Sequence, residues 1–189
     1  GYHDVKMVMQ SISVFDIVTI RRINEGIELS TNLPYLPIDS RNLAYRAAEE
    51  FFSYTGIKSG VRIDISKRIP VGAGLAGGSS NASAALKGLN RLFDAHLSLK
   101  QLCSIGVKLG ADVPYCLRGG TMLAEGIGEK LTQLADMPHC YVVLCKPPFA
   151  VSTKEVYQEI DSVDILTHPD TKGMIAALEQ GDYEGICGR

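Results

Sequence analysis

The chain has 189 residues, 46% of them hydrophobic and 21% charged, and a formal net charge of −2 at pH 7. That length holds one large domain, or one and a part, with a real core, and the composition is that of a soluble globular protein. Charge this close to balance gives no overall pull toward nucleic acid or an anionic membrane, and with no membrane-length apolar run and no signal-peptide pattern, a cytoplasmic protein is expected.

In chain order, Val5 to Ile23 is rich in β-branched residues and reads as two strands bent near Phe15-Asp16, with a third expected at Gly26 to Ser30. Proline and polar residues make Asn32 to Pro37 a loop. Leu43, Ala47 and Phe51 then recur at helical spacing within Asn42 to Phe52, with Ser40 as the expected N-cap. Val61, Ile63 and Ile65 alternate with polar residues, so a strand leads into Pro70 to Ser80. From Asn81, the side chains of Ala85, Leu86, Leu89, Leu92 and Phe93 fall on one face of a helix, and Ser98 to Leu109 reads as another. Gly119 to Leu134 reads as two short strands broken by Gly126 and Gly128. A domain boundary is expected near Asp136-Met137-Pro138, dividing the chain into 1–136 and 137–189. Beyond it come a strand at Tyr141 to Cys145, a Pro147-Pro148 turn, and helices at about Thr153 to Ile160 and Thr171 to Gln180.

The five cysteines form no C-x-x-C pair, so reduced and mostly buried thiols are expected. His139-Cys140 with Cys145 is the best metal candidate, but its place on an apparent strand points to core packing, and no metal-ligating set is expected.

The informative segment is Pro70-Val71-Gly72-Ala73-Gly74-Leu75-Ala76-Gly77-Gly78-Ser79-Ser80. Glycine lets a backbone press its N–H groups against a ligand, and a following helix adds unpaired N–H groups and a partial positive charge, a combination suited to phosphate. Three familiar phosphate loops compete for it. Gly72 to Gly77 matches G-x-G-x-x-G, with Asp94 near the distance of a ribose-binding acid, but the second strand that would carry that acid is replaced by a helix. The same glycines have Walker A spacing, yet Gly78 stands where lysine is required. Ser79 occupies the valine position of the protein-kinase loop. On pattern alone, a close-packed turn with no ligand stays open as well.

Pro70 to Ser80 resembles the central ATP-binding motif of the GHMP kinases. Gly1-Tyr2-His3, Met7-Val8-Met9-Gln10, Leu109-Gly110-Ala111-Asp112-Val113-Pro114-Tyr115 and Ala124-Glu125-Gly126-Ile127-Gly128-Glu129 follow in the order seen in the 4-diphosphocytidyl-2-C-methyl-D-erythritol kinases of that superfamily, nearly end to end. The resemblance implies an α+β GHMP kinase fold. Its parts are an N-terminal ATP-binding lobe like the second domain of ribosomal protein S5, lacking its first strand, and the start of a smaller ferredoxin-like substrate lobe. It implies ATP and Mg²⁺ as cofactors, and phosphorylation of the 2-hydroxyl of 4-diphosphocytidyl-2-C-methyl-D-erythritol in non-mevalonate isoprenoid precursor synthesis. Gly1 falls inside a family motif without an initiator methionine and Arg189 within an apparently continuing helix, so a fragment is expected. Such a fragment would lack the Pro-Ala-Lys-[Leu/Ile]-Asn-Leu segment, whose lysine belongs to the family's active site, and a late glycine-rich segment.

By the same resemblance the amides of Gly72 to Gly78 wrap the ATP phosphates, with the Ser79 or Ser80 hydroxyl on phosphate or Mg²⁺. Asp112 is the catalytic base, since a carboxylate can take the proton of the attacking hydroxyl. The plain alternative makes Asp112 the cap of a short helix opening at Val113-Pro114. Tyr2 and His3 match the segment that meets the cytidine end of the substrate. Tyr157 is a candidate to stack on the base, with a core position as the alternative. Another GHMP small-molecule kinase, a nucleotide-binding module without turnover and, more distantly, a dinucleotide oxidoreductase are the competing functions.

Overall fold

A computed structural model describes residues 4–146, 153–163, 165 and 167–189. Contacts divide the chain into two units, Ser13–Arg118 and Gly1–Ile12 with Gly119–Arg189. Neither cut falls at 136.

In the unit Ser13–Arg118, β2 (Ile17–Ile23), β3 (Ile27–Thr31) and β4 (Gly60–Ser66) form a sheet in the order β2-β4-β3, antiparallel between β2 and β4 and parallel between β3 and β4. The alternation in β4 sends Val61, Ile63 and Ile65 into the core, while Arg62 and Asp64 face outward. Helices α1 (Leu43–Thr55) and α2 (Gly77–Leu92) cover the inner face, α3 (Leu99–Leu109) packs on both of them, and α4 (Val113–Arg118) packs on α2 and α3. Small residues let α1 and α2 pack closely, because Ala44, Ala47, Ala48, Ala82 and Ala85 are all fully buried. Phe51, Leu86 and Leu89 fill the space that remains.

The expected cap of α1 is corrected. Asn42, not Ser40, is the N-cap: its Oδ1 accepts from the Ala44 amide at 3.0 Å while its Nδ2 donates to the Pro37 carbonyl at 2.9 Å. Ser40 falls instead within the turn closed by the Asn42 amide on the Asp39 carbonyl, 2.8 Å. At the other end Gly56 takes the left-handed conformation (φ 70°) that a helix-terminating residue needs. Ser98 caps α3 through a capping box with Gln101.

The other unit holds β1 (Val5–Gln10), β5 (Thr121–Gly126) and β6 (Lys130–Gln133), antiparallel in the order β1-β5-β6. Met7 pairs with Ala124 and Gln10 with Thr121. Helices α5 (Thr153–Ile160), α6 (Thr171–Gln180) and α7 (Tyr183–Cys187) follow. Sequence periodicity misses the short α7, and the helix expected to run on through Arg189 ends at Cys187, with the Gly188 amide turned back on Glu184 and Ile186.

No strand forms over Tyr141–Cys145. Tyr141 is 94% and Val143 91% exposed, and among the described residues no strand pairs with this segment, so the strand its apolar run suggests has no ladder to join. The burial expected of the cysteines is corrected too: Cys145 and Cys187 are exposed, and Cys103, Cys116 and Cys140 are half-buried. The Pro147-Pro148 turn lies outside the described residues. Among those that are described, no helix is long and apolar enough to cross a membrane.

Candidate functional site: a glycine-lined cavity at a helix N-terminus

β4 ends at Ser66, and after Lys67-Arg68-Ile69 the chain runs through Pro70 to Ala76 before turning into α2. The helix opens at Gly77, four residues ahead of the start its apolar face suggests, so Gly77 to Ser80 are its first turn. Its N-cap, Ala76, sits in the left-handed region (φ 49°, ψ 28°) and offers no side-chain cap. Ser80 is the first residue whose amide reaches back into the helix, to the Ala76 carbonyl at 2.8 Å. The amides of Gly77, Gly78 and Ser79 donate to nothing among the described residues. Three unpaired N–H groups at the positive end of a 16-residue helix are a seat for an anion.

Pro70 through Gly78 line a cavity of about 350 Å³, within the range of small-ligand sites. Gly72 and Gly74 have φ of 62° and 69°, which glycine adopts without strain. Gly77 is fixed by crowding instead: a Cβ there would lie 3.1 Å from both Ile69 Cγ2 and Lys67 Nζ. The far wall is more apolar and comes from Thr31, Leu36, Pro37, Leu43 and Ile65, with Arg41 and Asn42 at the start of α1. The polar floor, Lys67 and Asn81, escaped sequence reasoning; the position of Lys67, just ahead of the loop, was the signal available.

Ser79 and Ser80 do not line this cavity. Ser80 Oγ donates to the Gly77 carbonyl at 2.9 Å, which commits its hydroxyl to the helix. Ser79 points to the next segment: its Oγ lies 3.9 Å from where a Cβ on Gly110 would stand. The N-terminus of α2 and the turn Gly110-Ala111-Asp112 that leads into α4 are therefore neighbours. Gly106 and Gly110 keep that turn tight, and Val113 and Leu117 pack beneath it.

Asp112 is half-buried, and among the described residues nothing donates to its carboxylate. The first turn of α4 uses its backbone carbonyl, which accepts from the Cys116 amide at 3.0 Å, and not its side chain. The capping alternative is thereby corrected. Burial alone pushes the Asp112 carboxyl above the ordinary carboxylate value. One turn later, burial and the charge of Asp112 push the Cys116 thiol up to about 11, so it stays a neutral, unreactive neighbour. An uncompensated carboxylate held beside an open helix N-terminus has the chemistry to accept a proton.

Tyr157 lies on α5 of the other unit and is half-buried, with Val156 and Ile160 exposed at 41% and 38%, so the core alternative for it is corrected. Tyr2 and His3 lie outside the described residues. His96 and His168 are exposed. Among the described residues no group of three or more His, Cys, Asp and Glu is placed to hold a metal ion.

Residues 42–120 match the family model of the GHMP kinases N terminal domain. A 4-diphosphocytidyl-2-C-methyl-D-erythritol kinase of Clostridium botulinum (strain Eklund 17B) is 50% identical over 187 residues, covering 99% of this chain and 67% of that protein. The chain belongs to the GHMP kinase family. The enzyme of the same name from Lachnospira eligens is 47% identical over 190 residues, and this chain spans 66% of its length. Among solved structures, a 4-(cytidine 5'-diphospho)-2C-methyl-D-erythritol kinase superposes with a TM-score of 0.75 at 34% identity, over 96% of this chain and 64% of that one. The mevalonate kinase of Methanococcus jannaschii shares the GHMP kinase fold, with a TM-score of 0.68 at 14% identity. The family match begins at Asn42, the α1 cap, and so takes in the glycine loop, α2 and the Asp112 turn together.

Proposed function

We propose that the chain carries the ATP-binding and phosphoryl-transfer machinery of a 4-diphosphocytidyl-2-C-methyl-D-erythritol kinase, which phosphorylates the substrate's 2-hydroxyl in non-mevalonate isoprenoid precursor synthesis. The observation that carries this reading is the uncapped N-terminus of α2 on a glycine-lined cavity, beside a half-buried carboxylate with no hydrogen-bond donor among the described residues. Identity of 47–50% along the chain supports the substrate class. Residues 1–136 would form the ATP-binding lobe and 137–189 the start of the substrate lobe, in a cytoplasmic protein.

In this reading the more apolar wall takes the nucleoside, and the triphosphate runs along the loop so that the amides of Gly77, Gly78 and Ser79 meet its oxygens. Their dipoles oppose the charge that grows on the transferring group. The Asp112 carboxylate accepts a hydrogen bond from the substrate hydroxyl and takes its proton. The freed oxygen forms a bond to the γ-phosphorus while the bond from that phosphorus to the β,γ-bridging oxygen breaks, leaving ADP. Mg²⁺ suits a set of hard oxygen donors, and Ser79 Oγ with the phosphate oxygens is such a set; bound there it would neutralise phosphate charge. Tyr2, His3 and Tyr157 are proposed to contact the cytidine end.

The test is incubation with ATP, Mg²⁺ and either 4-diphosphocytidyl-2-C-methyl-D-erythritol or the same alcohol without cytidine, followed by ³¹P NMR. Phosphorylation of the cytidine-bearing alcohol alone is expected. Equal use of both would remove the assignment of Tyr2, His3 and Tyr157. A second reading is nucleotide binding without turnover, and ATP binding with no product would select it.

A further inference from the structure

One buried cluster next to the cavity has no part in the chemistry above. Asp16, in the connection between β1 and β2, is 1% exposed at its side chain and does not line the cavity, yet both of its oxygens are fully used. Oδ1 accepts from the backbone amides of Arg68 at 2.6 Å and Ile69 at 2.9 Å. Oδ2 accepts from Asn81 Nδ2 at 2.8 Å and pairs with the ammonium of Lys67, itself only 6% exposed, which also donates to Asn81 Oδ1 at 3.3 Å. Burial works against the charge on Asp16, but the Lys67 ammonium, the two amides and Asn81 outweigh it and hold the carboxyl below its ordinary value.

These partners stand at the two ends of the glycine loop. Lys67 to Ile69 lead into it, and Asn81 lies on α2 just past it. Between them the chain has two glycines at positive φ and an N-cap residue with no side-chain bond, so little within the loop sets its shape. Asn32 grips the same lead-in from the other side, accepting from the Lys67 amide at 2.7 Å and donating to its carbonyl at 3.2 Å.

We propose that Asp16 is a positioning residue for nucleotide binding: by bonding both ends of the loop it fixes their separation and so presents the Gly77–Ser79 amides already arranged for a phosphate. The proposal rests on reading the cavity as the ATP site. Preorganisation lowers the ordering penalty of binding, so its loss weakens affinity without removing any ligand contact. Asp16→Asn would keep the size of the side chain but turn a donor toward Lys67 and Asn81, leaving the ammonium without its counter-charge.

The experiment is calorimetric titration with ATP·Mg²⁺ of the unaltered chain, Asp16→Asn and Asp64→Asn, each at a temperature where circular dichroism shows it folded. Asp64 is the control, an ion-paired carboxylate on the outer face of the β2-β4-β3 sheet, 2.8 Å from Arg21 and 3.1 Å from Arg62. Asp16→Asn is expected to weaken ATP binding at least tenfold and Asp64→Asn to leave it within twofold. Affinity within twofold for folded Asp16→Asn, or equal losses in both variants, would overturn the proposal. Should Asp16→Asn not fold, hydrogen exchange on the unaltered, ATP-free chain decides. Arg68 and Ile69 amides protected as well as those of β4 support the staple, and exchange at open-loop rates overturns it. Failure of the unaltered chain to bind ATP would instead sink the reading of the cavity, while the exchange measurement still judges the staple.

Discussion

Asp112 and Asp16 are two aspartates of one unit that burial treats in opposite ways. Asp16 is surrounded by donors and its carboxyl is held low; Asp112 has none among the described residues and its carboxyl is pushed up. The sign matters for stability. A carboxyl raised in the folded state binds its proton more tightly there than in the unfolded chain, so its contribution is fully present below the unfolded value and is lost as pH rises through the folded one. At pH 7, ionised Asp112 therefore works against folding, and Asp112→Asn should melt at a higher temperature than the unaltered chain. That advantage should shrink as the pH falls into the carboxylate range and the aspartate takes up its proton, first in the folded chain and then in the unfolded one. The same variant should retain ATP affinity and lose turnover by about 10² or more. A lower melting temperature at pH 7, or near-normal turnover, contradicts the role assigned to this carboxylate.

At the scale of elements, α2 joins scaffold and candidate site: its apolar face is buried through Ala82, Ala85, Leu86 and Leu89, while the amides of its first turn donate to nothing among the described residues. Gly77 and Gly78 separate the two demands. A Cβ on Gly77 would crowd Ile69 and a Lys67 ammonium that cannot retreat, since Asp16 and Asn81 hold it, whereas a Cβ on Gly78 meets only the tip of Leu43 at 3.4 Å. Thermal unfolding should show Gly77→Ala destabilised by about 1 kcal/mol, roughly 2–4 °C, and Gly78→Ala unchanged within about 0.5 kcal/mol. Equal melting temperatures for the two would mean the floor of the loop is softer than the geometry states. These elements were largely legible in the sequence, because β4 alternates cleanly and α2 and α3 carry one apolar face each. The opening of α2 was not, since its first turn is glycine and serine with no apolar periodicity to read. Nor was the Asn42 cap, where Asp39, Ser40 and Asn42 all carry a side-chain oxygen able to cap until the turn at Asp39 is known.

For the whole molecule, the limit of the sequence is long-range pairing. β1 joins β5 across more than a hundred residues, so the contact units are cut at 12 and 118, where composition shows no break. A strand pattern at Tyr141–Cys145 cannot announce whether another strand will pair with it, and here none of the described residues does. The Asp16 cluster is invisible for the same reason, its partners lying 51 to 65 positions away. The glycine loop and the Asp112 turn were readable because each is a contiguous string of residues whose backbone chemistry is local. If backbone amides at the mouth of α2 receive a triphosphate, amide-resolved NMR during titration with ATP·Mg²⁺ reads that contact residue by residue. The largest shifts should fall on Gly72, Gly74, Gly77, Gly78 and Ser79, with Asp112 next and the outer face of the β2-β4-β3 sheet unmoved. Saturable binding that leaves those five amides in place would mean that the triphosphate sits elsewhere.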